Sequence, residues 1–268
     1  MKTEAESGEP KFAEPDAPES GLLPRLRASG IADLARRGRW MARALAGRDV
    51  YYRPRMRAAR QRHGGRPGTG YGSWTICPDG LSRDSIVYSV GVGNDISFER
   101  SLIQSFGLKS VIAFDPTPTA IAWLGREDAP EQLRLLPYAI ADHDGTAKFF
   151  PHDNPEWIAH SLIPRAATAA SAVEVQVRTL RTVMSELGHG RIDLLKMDIE
   201  GAEYDVVENL VRERLDVRQL LVEFHHHDRH TGGMSVVRTR EAIRKLDGAG
   251  FKLFYVTSRG EEYSFLRT

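Results

Sequence analysis

The C-terminal end limits the fold more than any other stretch of the chain. Two strand-like runs, 251–257 and 262–266, are separated only by a short link around Ser258-Arg259-Gly260. A parallel crossover needs a dozen or more residues, so this pair must be antiparallel. Upstream, the pattern alternates. Apolar or β-branched runs at 85–90, 110–114, 133–140, 192–197 and 219–224 read as strands. Helical spacing at 94–106, 118–125, 181–187, 202–211 and 235–249 falls between them. Runs 146–150 and 173–180 read as additional strands. Strand–helix alternation builds parallel crossovers and a sheet covered on both faces. The expected fold class is therefore α/β and Rossmann-like, with a mostly parallel seven-stranded sheet and a C-terminal antiparallel hairpin. A classical nicotinamide-binding domain would keep all its strands parallel.

Composition sets the wider limits. Of 268 residues, 41% are hydrophobic and 27% charged, enough apolar material for a core. Net charge is +1, so no global field draws nucleic acid, and no nucleic-acid partner is expected. Cys77 is the sole cysteine, which excludes an intrachain disulfide and a cysteine zinc cluster. No apolar run reaches about 18 residues, so no transmembrane segment is expected. The start is acidic and proline-bearing rather than basic and apolar, so a cytoplasmic location is expected. Three regions follow: 1–21, an acidic disordered tail; 22–73, an Arg-rich helical extension and linker; and 74–268, the main domain. In the extension, Ile31, Leu34, Met41 and Leu45 recur near helical spacing, interleaved with Arg36, Arg37, Arg39, Arg43 and Arg48. Such a helix can lie on its own domain, on a membrane or on RNA.

The sharpest local signal is Val90-Gly-Val-Gly-Asn-Asp95, between a strand and a helix. Gly91 and Gly93 permit a tight turn and close approach of backbone to a ligand. The helix start beyond Asn94 offers free N–H groups. Ile96 stands where a dinucleotide site would carry its third glycine. Asp95 adds negative charge in the turn, which disfavours a pyrophosphate and suits the amino group of an amino-acid ligand. Asp115 ends the next strand, about 20 residues on, where an acid meets ribose hydroxyls. Asp142 follows the third strand and either reaches an adenine amino group or caps its own turn. Together these features favour S-adenosylmethionine over NAD.

A second motif lies on the strand at 192–197. Lys196 and Asp198 share a face, and a buried lysine needs a partner; Asp198 or Glu223 is expected to supply it. Tyr88–Ser97 (YSVGVGNDIS), Ala113–Pro118 (AFDPTP) and Leu195–Glu203 (LKMDIEGAE) together resemble the FkbM family of methyltransferases. Leu221–His225 (LVEFH) is similar to that family's next strand. The resemblance covers roughly residues 74–268 and leaves out the Arg-rich extension. It implies a class I methyltransferase domain, S-adenosylmethionine as cofactor, and O-methylation of a hydroxyl on a sugar or natural product. It does not imply which acceptor. The family commonly carries Glu where this chain has Asp115.

Methyl transfer to an alcohol needs alignment and removal of the hydroxyl proton. Candidate catalytic residues are His225, Asp198 and Glu223, with His225 the preferred base because imidazole titrates near neutrality. Glu200 is a further candidate. A divalent metal held by Asp198, Glu223 and His225 is the lesser reading. The stretch 150–172, with His152, Asp153, Asn154, Trp157, His160 and Ser161, falls outside the regular pattern. It reads as either an acceptor-binding loop or a plain surface excursion. Two other functions share some of these features. One is a nicotinamide-dependent oxidoreductase; the other is a non-catalytic binding module that uses the Arg-rich arm.

Overall fold

The computed structural model describes residues 22–66, 72–152, 160–164, 168–226 and 236–268. The expected acidic tail, Asp153, Asn154, Trp157, His227 and Asp228 lie outside these residues. Helix α1 (Leu22–Leu45) opens the described chain, and β1 (Gln61–His63) pairs antiparallel with β2 (Trp74–Ile76). The central run is β3 (Val87–Val90), α2 (Ser97–Phe106), β4 (Val111–Phe114), α3 (Pro118–Leu124) and β5 (Leu133–Leu136). Then come β6 (Ala139–Ile140), β7 (Gly145–Pro151), β8 (His160–Ser161) and β9 (Val173–Arg178). Next are α4 (Leu180–Leu187), β10 (Ile192–Met197), α5 (Glu203–Arg212) and β11 (Val217–Glu223). Helix α6 (Val236–Gly248) and strands β12 (Phe251–Val256) and β13 (Glu262–Arg267) complete the chain.

Seven strands form the main sheet in the order β12-β13-β11-β10-β3-β4-β5. The five from β11 to β5 run parallel, and β13 is antiparallel to both neighbours. The expected mostly parallel seven-stranded sheet with a terminal hairpin is what the chain forms. The last strand is inserted between β11 and β12 rather than added at an edge. Every residue of β3, β4 and β10 is buried, as a strand covered by helices on both faces requires. Between β3 and β10 the order of connection reverses, and ligands of open α/β sheets bind outside the carboxyl ends of strands at such a point.

One expected strand is divided. Residues 133–140 split into β5, in the main sheet, and β6, in a second sheet of order β6-β9-β7-β8. Pro137, which has no N–H to donate to a ladder, stands at the break, directly after the edge strand β5. The chain turns there, with Tyr138 N–H donating to the Leu136 carbonyl at 2.9 Å. The small sheet brings Ser161, one of the described residues of the excursion, against the carboxyl edge of the main one, where its Oγ donates to the Glu200 carbonyl at 2.6 Å.

The Arg-rich extension is docked on this frame. Trp40 of α1 is buried and donates from Nε1 to the Val50 carbonyl at 2.5 Å. Its indole lies over the β12–β13 turn, where a Cβ on Gly260 would overlap the ring. Residues 63–66, read from sequence as the start of a linker, lie against α2 instead. Gly64, at φ 72°, passes so close to the Phe98 backbone that a side chain would not fit, and Gly65 N–H donates to Ser97 Oγ at 2.9 Å. Among the described residues, no helix is long and apolar enough to cross a membrane. Gly260→Ala is expected to lower stability by about 2–5 kcal/mol, the sum of a left-handed backbone penalty and overpacking against Trp40. Chemical denaturation checks this, and an unchanged midpoint would detach α1 from the hairpin turn.

Candidate functional site

The carboxyl ends of four adjacent strands build the site. Gly91 has φ 78° and Gly93 φ 54°, both in the left-handed region that favours glycine. The bend is fixed from two sides. Gly91 N–H donates to the Phe114 carbonyl at the end of β4 at 2.9 Å. Asp198 N–H donates to the Val90 carbonyl at 3.1 Å, bringing the end of β10 alongside. A Cβ on Gly91 would overlap the Asp198 carbonyl oxygen, so this bend closes only around glycine.

Asp115 points into the bend. Its Oδ2 accepts Gly93 N–H at 2.9 Å, and its Oδ1 accepts the Thr117 N–H at 3.0 Å and hydroxyl at 2.7 Å. A carboxylate offers about four lone-pair sites, so Oδ2 keeps one for a further donor. Asn94 and Asp95 turn away from the bend. Asn94 Oδ1 accepts from Arg66 at 2.8 Å. Asp95 Oδ1 accepts Ser97 N–H at 2.9 Å at the start of α2, and its Oδ2 lies 3.3 Å from Arg66 Nε. Asp95 therefore serves the helix end and Arg66, not the interior of the bend. Asp142 is 51% exposed and paired with His143 at 2.7 Å. The neighbouring Asp144 holds the start of α4, accepting from Thr179 N–H at 2.7 Å and from Thr182 Oγ1 at 2.6 Å.

Lys196 departs from expectation. Its Nζ donates to the carbonyls of Val90 at 3.2 Å and Gly91 at 2.5 Å, and stands 5.5 Å from the centre of the Trp74 ring. Neither Asp198 nor Glu223 is its partner. Lys196 faces the α2 side of the sheet, where the buried Glu99 lies hydrogen-bonded to Ser89. Burial raises the Glu99 carboxyl above its ordinary range, against the pull of Lys196. The lysine thus braces the underside of the glycine bend.

His225 follows β11 and collects carboxylates around it. Its Nε2 is 3.6 Å from Asp198 Oδ1 and 3.7 Å from Glu200 Oε2. Its Nδ1 is 3.3 Å from Glu203 Oε1, which also accepts the His225 backbone N–H at 2.9 Å. Glu203 is fully buried at the first turn of α5, and its other oxygen accepts Gly201 N–H at 2.7 Å. Burial disfavours the imidazolium, but the Glu203 carboxylate, its hydrogen bond, and the charges of Glu223 and Glu200 outweigh it. The His225 pKa is held well above its ordinary value. Glu223 is pushed well above the carboxylate range by burial and by Asp198. Glu262 stands directly across the β11–β13 ladder from Glu223, and burial, Asp198 and Glu261 push it up to about 7. Glu200 has φ 53°, uncommon for a residue with a side chain, and this aims its carboxylate at His225.

Asp198, Glu200 and His225 bring one ligand atom each within 4.8 Å of one another, a spacing able to hold a divalent ion. Glu223, named in the metal reading from sequence, is not one of the three. The next residue, His226, is buried and bonds through Nε2 to Asp49 Oδ1 at 2.9 Å, which ties the turn carrying His225 to the segment after α1. Glu203 lies inside the quoted LKMDIEGAE motif, yet its role shows only once α5 and the end of β11 are neighbours. Glu262 carried no readable signal, because its place opposite Glu223 depends on the insertion of β13.

Comparison with known proteins bears on the whole of this region. The family model described as the methyltransferase FkbM domain matches residues 85–253. A "Probable methyltransferase-like protein 24" of Rattus norvegicus is 35% identical over 198 residues, 68% of this chain and 48% of that protein. The "2-O-methyltransferase NoeI" of Sinorhizobium fredii (strain NBRC 101917 / NGR234) is 30% identical over 138 residues, 46% of this chain and 56% of that protein. The chain spans about a quarter to somewhat over half the length of these curated relatives. Among solved structures, a fibrillarin pre-rRNA processing protein of Methanococcus jannaschii aligns with 11% identity and a TM-score of 0.40, covering 70% of this chain and 68% of that one.

Proposed function

Because this chain belongs to the FkbM methyltransferase domain family, we propose that it is an S-adenosylmethionine-dependent O-methyltransferase acting on a hydroxyl of a small-molecule acceptor, a sugar or natural product. The observation that carries the reading is the meeting of two half-sites at one point of the sheet. Gly91, Gly93 and Asp115 form a nucleoside cradle at the ends of β3 and β4, and His225 with its carboxylates stands beside it at the ends of β10 and β11. The residues present suit that cofactor: the Gly91 bend closes directly on the Asp198 carbonyl with no side chain between them, and Asp115 Oδ2 keeps a lone pair facing the bend. When bound, it supplies a methyl group already activated on a sulfonium sulfur.

The residues of the chain then have separable tasks. The free lone pair on Asp115 Oδ2 takes a ribose hydroxyl. Asp198 and Glu200 provide the negative charge that a sulfonium and an amino group favour, a task that passes to them from Asp95, which is committed to α2 and Arg66. The far end of the nucleoside is assigned to Asp142, exposed beyond β6 beside His143. His225 in its neutral form takes the acceptor's proton at Nε2, and the buried Glu203 holds Nδ1 and stabilises the imidazolium that results. Glu223, whose carboxyl burial and Asp198 raise well above its ordinary range, acts on His225 as a neighbouring acidic group rather than as the base. The printed name of the Sinorhizobium relative supports oxygen as the acceptor atom.

Asp115→Ala is expected to weaken S-adenosylmethionine binding about 100-fold, the loss of charge-assisted bonds worth about 1.5–3 kcal/mol each. Titration calorimetry with the cofactor and its demethylated product measures it. No heat from the unaltered protein with either compound would overturn the reading. The carboxylate–imidazole trio also permits a metal-assisted route. Dialysis against chelator is expected to leave turnover within about twofold, whereas a rate lost there and restored by Mg²⁺ or Mn²⁺ would assign the trio to a metal. An oxidoreductase would instead show NADH fluorescence enhancement, and the antiparallel β13 and Ile96 argue against it.

A further inference from the structure

Helix α1 has two faces with different fates. Trp40 anchors one face into the β12–β13 turn. On the opposite face Leu34, Met41 and Leu45 are 71%, 43% and 83% exposed. Gly38, with nothing within 4 Å of its added Cβ, and the exposed Ala42 complete the line. Positions 34, 38, 41, 42 and 45 form one helical stripe. Three of the five large hydrophobic residues exposed among the described residues thus lie on a single helix, away from the core.

The same helix is bordered by arginines. Arg36 and Arg43 are neutralised by Asp33 and Asp49 at 3.0 and 2.9 Å. Arg39 and Arg48 are exposed and make no ion pair among the described residues. Residues 22–66 hold thirteen arginines against two aspartates, while the whole chain carries only +1. Five of these, Arg36, Arg37, Arg39, Arg43 and Arg48, lie on α1 or directly after it, the segment that carries the apolar stripe.

We propose that α1 is an interfacial helix that docks this protein on an anionic phospholipid surface. A bilayer is the partner that uses both features. Anionic headgroups attract the arginines, and the acyl boundary takes the leucines and the methionine to a depth of about 5–10 Å. Nucleic acid would engage the arginines and leave the apolar stripe in water. A second copy laid on the same stripe would set arginine against arginine. The helix lies on the surface rather than spanning, because its other face belongs to the protein.

The test is co-sedimentation of the full chain with vesicles of phosphatidylcholine containing about one third phosphatidylserine. The protein is expected to pellet with these, to stay soluble with pure phosphatidylcholine, and to be released by high salt. A Leu34→Glu, Met41→Glu, Leu45→Glu triple variant is expected to lose at least about tenfold in vesicle affinity. Its thermal midpoint and cofactor affinity should be unchanged, since none of the three side chains packs in the core. Absence of binding to anionic vesicles, or equal binding by the triple variant, overturns the proposal. So does tight binding of single-stranded RNA that the triple variant retains, or a concentration-dependent dimer that the triple variant abolishes.

Discussion

His225→Ala is expected to lower kcat by about 10²–10⁴-fold, the span of general-base contributions, while leaving the cofactor Kd within about threefold. The dissociation follows from the site's two halves: the imidazole faces Asp198, Glu200 and Glu203, and the glycine bend with Asp115 is built without it. The pH profile adds a sharper signature. A base works in its neutral form, and the surrounding carboxylates hold His225 protonated well above its ordinary pKa. Turnover should therefore rise with pH across a limb whose midpoint lies above 6.5. Glu203→Gln removes the largest favourable charge and should move that midpoint down. The sign for stability runs the same way. The charged imidazole is favoured in the fold, so its contribution is fully present below the unfolded pKa and is lost as pH rises through the folded one. An unaltered kcat in His225→Ala, or a limb that does not move in Glu203→Gln, would remove the histidine from the chemistry and leave Asp198 as the base.

Gly91→Ala should abolish measurable cofactor binding and lower stability by about 2–5 kcal/mol, because the new Cβ meets a backbone oxygen that cannot step aside. Gly107→Ala supplies the internal control. Gly107 also has a left-handed φ, 61°, but nothing lies within 4 Å of its added Cβ. It should cost only the conformational penalty, about 1–2 kcal/mol, with cofactor affinity intact. Equal effects at the two glycines would mean that strain alone, not the closeness of the bend to β10, governs the site.

Much of this architecture was readable in the chain. The parallel core followed from the largely apolar runs at 85–90, 110–114 and 192–197 alternating with helical spacing, and the antiparallel ending from the shortness of the link at Gly260. Gly91, Gly93 and Asp115 were recognisable because a strand–turn–helix ligand site needs those residue types at those places. What stayed hidden depends on neighbours distant in sequence. The partners of Lys196 are carbonyl groups 105 and 106 residues away, and no side-chain pattern reports a carbonyl. Asp95 looked available to a ligand until Arg66, 29 residues earlier, was seen beside it. The docking of Arg-rich α1 turned on Trp40, one residue among many arginines, and on the fit of its indole over Gly260.

The position of β13 affects how the protein can be made. A strand formed by residues 262–267 sits inside the sheet, between strands synthesised earlier. Until that strand is in place, β11 and β12 each lack the neighbour that covers their backbone edge and can pair with another chain instead. For the same reason, trimming the polypeptide to the span shared with its family, which stops at residue 253, removes an interior plank of the sheet rather than an ornament at its border.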